Sequence, residues 1–268
     1  MAFKLIIIGG GRMGSALAQG LVEATWCSPS ELCVIESARE ARGALAERLS
    51  NVAVFASLEL EHVGPESAGV LCVKPDQAEG AARVAATCGL VRMLSVVAGL
   101  SSARIEAVFS GPVAVVRSMP NTPVLVGKGV SAIAGGAHVT KADLDWAESI
   151  LGSVGTVVRV SERNLDAVTG LSGSMPAYLY LVVESLIDAG VHQGLSREVS
   201  RQLVVGTFEG SAALLTSSGE SPEELRAQVT SPGGTTAAGL RMLEGRAVRA
   251  AFLEAVAAAA ERSRQLGR

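Results

Sequence analysis

Near the amino terminus the run Gly9-Gly10-Gly11-Arg12-Met13-Gly14 has the spacing G-x-G-x-x-G, and Glu36 follows 22 residues after its last glycine. Glycines so placed permit a tight turn and let backbone N–H groups approach a diphosphate, and a carboxylate about 20 residues on can accept from a ribose 2′-hydroxyl. A glycine motif alone is weak evidence, since any tight turn uses glycine, so its context decides. Phe3 to Ile8 is apolar except at Lys4 and suits a strand buried on both faces, Arg12 to Glu23 has helical apolar spacing, and Leu32 to Ile35 is a second strand ending at Glu36. With strand, helix, second strand and acid all in place, Gly9, Gly11, Arg12, Met13, Gly14 and Glu36 are expected to hold a nicotinamide dinucleotide. Glu36 favours NADH through a free 2′-hydroxyl. Arg39 and Arg42 are near enough to pair with a 2′-phosphate, so NADPH is expected to be accepted as well.

A second glycine loop, Ser231-Pro232-Gly233-Gly234-Thr235-Thr236, leads into the helical pattern AAGLRMLE. Glycines before a helix start leave N–H groups unpaired, which suits a small anion such as a carboxylate. A tight inter-helix turn with threonine as its cap accounts for the same residues.

These two loops need elements to hold them. After Glu36 the pattern continues with helix Arg39 to Leu49, strand Val52 to Phe55, a loop and short helix, and strand Gly69 to Val73. Next come helix Asp76 to Cys88, strand Met93 to Val97, a helix around Ser102 to Phe109 and strand Val113 to Arg117. The turn Met119 to Pro123, strand Val130 to Ala134, helix Lys141 to Leu151 and strand Thr156 to Val160 complete it. That alternation predicts an α/β fold, a Rossmann-type doubly wound, mostly parallel sheet. Ligands of such sheets bind beyond the carboxyl ends of the strands, where Lys74, Ala98, Gly99 and Asn121 fall. A solvated loop lysine explains Lys74 equally well.

Beyond Glu162 no convincing strand remains. Helices are expected at Leu165 to Leu171, Pro176 to Ala189, Ser196 to Thr216, Pro222 to Val229, Thr236 to Glu244 and Ala247 to Gln265. The division therefore falls near Glu162, into a dinucleotide-binding domain 1–162 and an all-helical domain 163–268. Ser174 as cap and Pro176 in the first turn open the most apolar helix, in which only Glu184, Ser185 and Asp188 interrupt the run to Ala189. A helix apolar all round has to be buried, and at about 1.5 Å per residue it is too short for a bilayer of roughly 30 Å. The surplus apolar surface points to a homodimer.

The chain has 268 residues and a formal charge of −3, with no basic patch to meet a phosphate backbone, so nucleic acid is not an expected partner, nor is a membrane. Cys27, Cys33, Cys72 and Cys88 show no C-x-x-C spacing and read as reduced, buried hydrophobes, and Met1 to Ile8 is too short for a signal-peptide core, so a cytoplasmic location is expected. His62, His138 and His192 stand apart without ligand spacing, so no metal is expected.

A ketone reductase has to protonate a developing alkoxide, yet no lysine follows Lys141 and His192 lies in a turn beside Gly194. A protonated imine needs no such acid. It accepts hydride to give a neutral amine, so positioning and capture of a carboxylate can supply most of the catalysis.

The motifs GGGRMG, VKP, Ala98-Gly99, R-x-MPNTP-x-x-V-G-x-G-V, DAVTGLSGSMPAY and VTSPGGTTAAGL, with the closing ERSRQLG, span essentially the whole chain. Together they resemble the pyrroline-5-carboxylate reductase family, which performs the last step of proline synthesis. The resemblance implies a dinucleotide domain followed by an all-helical dimerisation domain that interlocks with its twin, with dimers assembling further in some members. It implies a cyclic imino acid as substrate, with Gly234, Thr235 and Thr236 binding its carboxylate and Thr236 beside the ring nitrogen as the catalytic group. It places Glu162 near the substrate, and Val73, Lys74, Pro75, Ala98, Gly99 and Asn121 around the coenzyme. Two positions depart from the family pattern: Met175 replaces the glycine of SGSGPAY, and Asp76 replaces a usual glutamine. The first bears on substrate size, which leaves a paralogue for another cyclic imino acid as an alternative. A dinucleotide-binding regulator with a degenerate site is a further alternative, disfavoured by the intact TSPGGTT.

Overall fold

The computed structural model describes residues 2–49 and 51–267. Eight strands, β1 (Phe3–Ile8), β2 (Leu32–Ile35), β3 (Ala53–Phe55), β4 (Val63–Leu71), β5 (Arg92–Ser95), β6 (Ala114–Met119), β7 (Gly129–Gly135) and β8 (Gly155–Arg159), form one sheet in the order β3-β2-β1-β4-β5-β6-β7-β8. Helices α1 (Arg12–Glu23), α2 (Arg39–Arg48), α3 (Pro75–Thr87), α4 (Ser102–Glu106) and α5 (Lys141–Gly152) connect them. Past the exposed Lys4, strand β1 shows why its run Leu5 to Ile8 is apolar throughout. Leu5 and Ile7 point into one core with Leu17, Leu21 and Ile150, whereas Ile6 and Ile8 point into the other with Ala78, Ala82 and Ile105. A strand covered on both faces has no polar side.

The expected elements are present with small shifts of boundary. Strand β4 begins at Val63 instead of Gly69, because its first residues, including Pro65 and Glu66, are exposed and lack the apolar run that marks its buried part. All neighbouring strands are parallel except β6 and β7. Only the 3-10 turn Thr122–Val126 joins those two, too short a connection for a crossover.

The remaining helices are α6 (Leu165–Val168), α7 (Met175–His192), α8 (Arg197–Ser218), α9 (Pro222–Gln228), α10 (Thr235–Gly245) and α11 (Val248–Leu266). The chain divides into two compact units, Met1–Ser174 with Ala257–Arg268, and Met175–Val256. Ser174 is not the expected helix cap. A π-helical turn, Thr169–Gly173, follows α6, and the Ser174 N–H donates to the Thr169 carbonyl with helical backbone angles, so the helix does not break before α7. A side chain on Gly173 would lie 2.5 Å from Met119 Cε, the far end of a flexible side chain that can move aside, so glycine there eases this path without being required for it. The expected capping box at Ser221 is present: its hydroxyl accepts from the Glu224 N–H, and the Glu224 carboxylate accepts from the Ser221 N–H.

Helix α7 is not buried within a single chain. Pro176 is its only buried residue, while Tyr180 is 64% and Leu181 63% exposed. All four cysteines are free, and burial pushes the Cys33 and Cys72 thiols up to about 12, which keeps them unreactive.

Candidate functional site

Strands β1 and β4 lie side by side where the sheet order reverses, and the crevice beyond their carboxyl ends is the usual ligand position in such sheets. A cleft of about 590 Å³ opens there, lined among others by Gly9, Gly11, Glu36, Val73 and Lys74. Gly9 has φ +109°, and a side chain on it would meet the Cys72 carbonyl oxygen at 2.7 Å. On Gly14 a Cβ would lie 1.9 Å from the Gly9 carbonyl oxygen, so α1 approaches the turn closely only because glycine stands there. Gly11 borders open space, and as N-cap of α1 it offers no side-chain cap, which leaves the N–H groups of the first turn, Arg12, Met13 and Gly14, for an anionic ligand. Of the six motif residues, Arg12 is exposed and Met13 half-buried. This cradle fits the diphosphate of a dinucleotide.

Glu36 is fixed at the edge of this cleft. Its Oε2 accepts from the Gly10 N–H at 3.1 Å and its Oε1 from the Ala38 N–H at 2.9 Å. Arg42 donates to the carbonyls of Glu36 and Ser37, so it holds the β2–α2 loop in place and is not free to face a ligand, whereas Arg39 is exposed. Ser37, Ala38 and Ser57 also line the cleft and were not singled out from sequence; their positions just past β2 and β3 are the signal that would have found them. A 2′-phosphate beside a carboxylate held by two N–H groups meets like charge that cannot swing away. We therefore expect NADH to be preferred, and Glu36→Ala to move the ratio of kcat/KM values toward NADPH about tenfold, a change of ~1.4 kcal/mol. Steady-state kinetics with both coenzymes check this; a wild-type preference for NADPH would contradict it.

Further along the sheet edge, Lys74 is the exposed N-cap of α3 and Pro75 its first residue. Gly99, next to Ala98, has φ +76° and packs against the end of α11, where a Cβ would meet the Gly267 nitrogen at 3.1 Å. Arg104 secures that contact by donating to the Gly267 carbonyl at 3.0 Å and to Glu79. Asn121 lies past the end of β6, half-buried, and its amide is engaged structurally: Oδ1 accepts from the Val130 N–H at 2.8 Å, and Nδ2 is 3.4 Å from both oxygens of Ser172.

Glu162 sits in a cluster that sequence reasoning missed. Its Oε1 accepts from the Ser102 N–H at 2.7 Å and from Arg117 Nη1 at 3.0 Å, and its Oε2 accepts from the Ser102 hydroxyl at 2.6 Å. Burial pushes the Glu162 carboxyl up, but the Ser102 hydroxyl and N–H and the Arg117 guanidinium outweigh it and hold the group below its ordinary range. No local pattern announces these partners, which lie 60 and 45 residues away in the chain.

In the helical unit, Gly233 takes φ +74°, and the Gly234 N–H donates to the Ser231 carbonyl at 3.1 Å. A side chain on Gly234 would meet Ser231 Oγ at 2.4 Å. Gly234, not a threonine, is the N-cap of α10, and no side chain caps that end. The first-turn N–H groups, those of Thr235 and Thr236 included, are left for an anion, and both threonines are exposed. Met175 is half-buried at the start of α7. Among the described residues no three or more His, Cys, Asp or Glu side chains are grouped to hold a metal, and no helix is long and apolar enough to cross a membrane.

Comparison with known proteins adds to this geometry. The family described as pyrroline-5-carboxylate reductase dimerisation matches residues 162–266, and the family described as NADP oxidoreductase, coenzyme F420-dependent, matches residues 4–92. The chain is 41% identical over 270 residues to the pyrroline-5-carboxylate reductase of Corynebacterium melassecola, with 98% of each chain covered. It is 39% identical to that of Synechocystis, over all of both chains. Among solved structures, pyrroline carboxylate reductase of Plasmodium falciparum with NADP bound is similar at a TM-score of 0.87 and 33% identity, covering 99% of this chain and 98% of that one. The pyrroline-5-carboxylate reductase of Coxiella burnetii is similar at a TM-score of 0.89 and 30% identity, covering 99% of each.

Proposed function

The chain belongs to the pyrroline-5-carboxylate reductase family, and on that premise we propose that it reduces 1-pyrroline-5-carboxylate to L-proline with NADH or NADPH, in proline biosynthesis. The observation that carries this reading is full-length similarity to such reductases in a chain that keeps the glycine cradle of the coenzyme and the uncapped Gly-Gly-Thr-Thr helix start. Bound coenzyme supplies a hydride. The residues of the chain bind and orient. The Gly234 N–H is taken by the Ser231 carbonyl, so Gly234 shapes the loop while the backbone N–H groups of Thr235 and Thr236 take the substrate carboxylate, and the Thr236 hydroxyl stands beside the ring nitrogen as the catalytic group. Since the protonated imine becomes a neutral amine when hydride adds, the site needs no strong acid, in keeping with a helical domain that has no lysine. Arg12, Met13 and Gly14 hold the diphosphate, and Val73, Lys74, Pro75, Ala98, Gly99 and Asn121 border the nicotinamide. Glu162 belongs to the substrate end.

In this reading residues 1–162 bind coenzyme, residues 163–268 bind substrate and dimerise, and dimers assemble further in a cytoplasmic enzyme. Following NADH and NADPH oxidation with 1-pyrroline-5-carboxylate and a ring-substituted analogue tests it. Proline formation at a turnover ordinary for enzymes supports it; coenzyme binding with no turnover of any cyclic imine sinks it.

Thr236→Ala is expected to lower kcat/KM by about 1 to 3 kcal/mol of transition-state stabilisation, the range for a hydrogen bond to a charged or polar group, with coenzyme affinity unchanged. If the variant instead loses NADH binding, the loop serves the coenzyme and the assignment of Thr236 is wrong.

A further inference from the structure

The Glu162 carboxylate ties together two segments that are remote in sequence. Ser102 follows the Ala98–Gly99 loop by three residues and opens α4, whereas Arg117 lies on β6 just ahead of Met119 and Asn121. Glu162 accepts from both, at 2.6 to 3.0 Å, through three hydrogen bonds. A carboxylate has about four acceptor positions, so three are already used. Its charge is also matched by a guanidinium whose side chain is only 11% exposed. Arg117 Nε is buried with no partner, and Glu162 is the only carboxylate that Arg117 meets among the described residues. A group committed in this way has little left for an iminium ion.

We propose that Glu162 is a positioning residue for the coenzyme and not a ligand of the substrate. By holding Ser102 and Arg117 on one carboxylate, it sets the spacing between the Ala98–Gly99 loop and the end of β6, the two walls of the nicotinamide site. The proposal rests on the functional reading above for the location of the nicotinamide. It revises only the part that Glu162 plays there.

Titrating the full-length protein with NADH in the absence of any imine separates the two roles, because a substrate ligand has no effect on a complex that lacks substrate. Glu162→Ala is expected to raise the NADH Kd about tenfold or more, the scale on which small misplacements of a bound group act. Glu162→Gln should recover most of that loss, since its amide oxygen accepts the same N–H bonds at the same reach. Ser102→Ala should shift the Kd the same way, and the Ser102→Ala/Glu162→Ala double variant should be no worse than Glu162→Ala alone. An unchanged NADH Kd in Glu162→Ala, with a raised KM for the imine that Gln does not restore, overturns the proposal. Should Glu162→Ala fail to fold because it strands the buried Arg117, Ser102→Ala decides: an unchanged NADH Kd there overturns it equally. Wild-type protein that binds NADH yet leaves 1-pyrroline-5-carboxylate unreduced would refute the functional reading, while the comparison of NADH affinities would still stand.

Discussion

Gly14→Ala is expected to abolish useful coenzyme binding and to destabilise the coenzyme domain. The added methyl would lie 1.9 Å from the Gly9 carbonyl oxygen and 3.1 Å from both the Gly9 carbonyl carbon and Ile7 Cγ2. Two of those atoms are backbone just past the buried carboxyl end of β1, so relief has to come from lifting α1 off the turn. Overpacking of this kind costs about 1 to 3 kcal/mol, and more where backbone must move. Lifting α1 also withdraws the N–H groups that meet the diphosphate, so the NADH Kd should rise about a hundredfold, ~2.7 kcal/mol. Gly11→Ala is the informative control. With open space around its Cβ and an ordinary φ of −62°, it should leave the melting temperature in place while the methyl, on the cleft wall, weakens NADH binding. Thermal melts beside NADH titrations check both, and a Gly14→Ala protein with wild-type stability and affinity would refute the account of the cradle.

Charged substitutions on the helical unit should take the dimer apart. Its family match is a dimerisation domain, and within one chain Tyr180, Leu181, Leu203 and Leu253 remain 56 to 74% exposed. Apolar surface left in water forgoes roughly 25 cal/mol per Å², so these side chains drive association when a second copy covers them. The wild-type melting temperature should therefore rise with protein concentration. Leu181→Glu with Leu203→Glu buries two unpaired charges in each subunit at a cost of several kcal/mol, of the order of 3 to 5 for each uncompensated buried charge. Equilibrium sedimentation should show monomers at micromolar concentration for the double variant and dimers for the parent. A parent protein that is a stable monomer at that concentration would rule out the dependence on dimerisation.

Some features of this protein follow from short stretches of chain. The extent of β1, α1 and β2, the glycine turn between them, the carboxylate at the end of β2 and the capping box at Ser221 all coincide with what residue spacing indicates. Each is governed by neighbours a few residues away: apolar periodicity marks buried faces, glycine permits a turn, and a serine three residues before a glutamate can satisfy a helix end. Tertiary structure decided the rest. Ser174 has the residue type of a cap but lies within a continuous helical path, its N–H donating to the Thr169 carbonyl across the π-helical turn. The short link after β6 turned β7 antiparallel, and Asn121 became a brace between β7 and Ser172. Glu162 looks like any acidic residue after a strand, and only the order of strands in the sheet brings Ser102 and Arg117 to its two oxygens. Backbone preference and periodicity act over one or two turns of chain, whereas the partner of a buried charge is set by which distant segments the packed sheet places side by side.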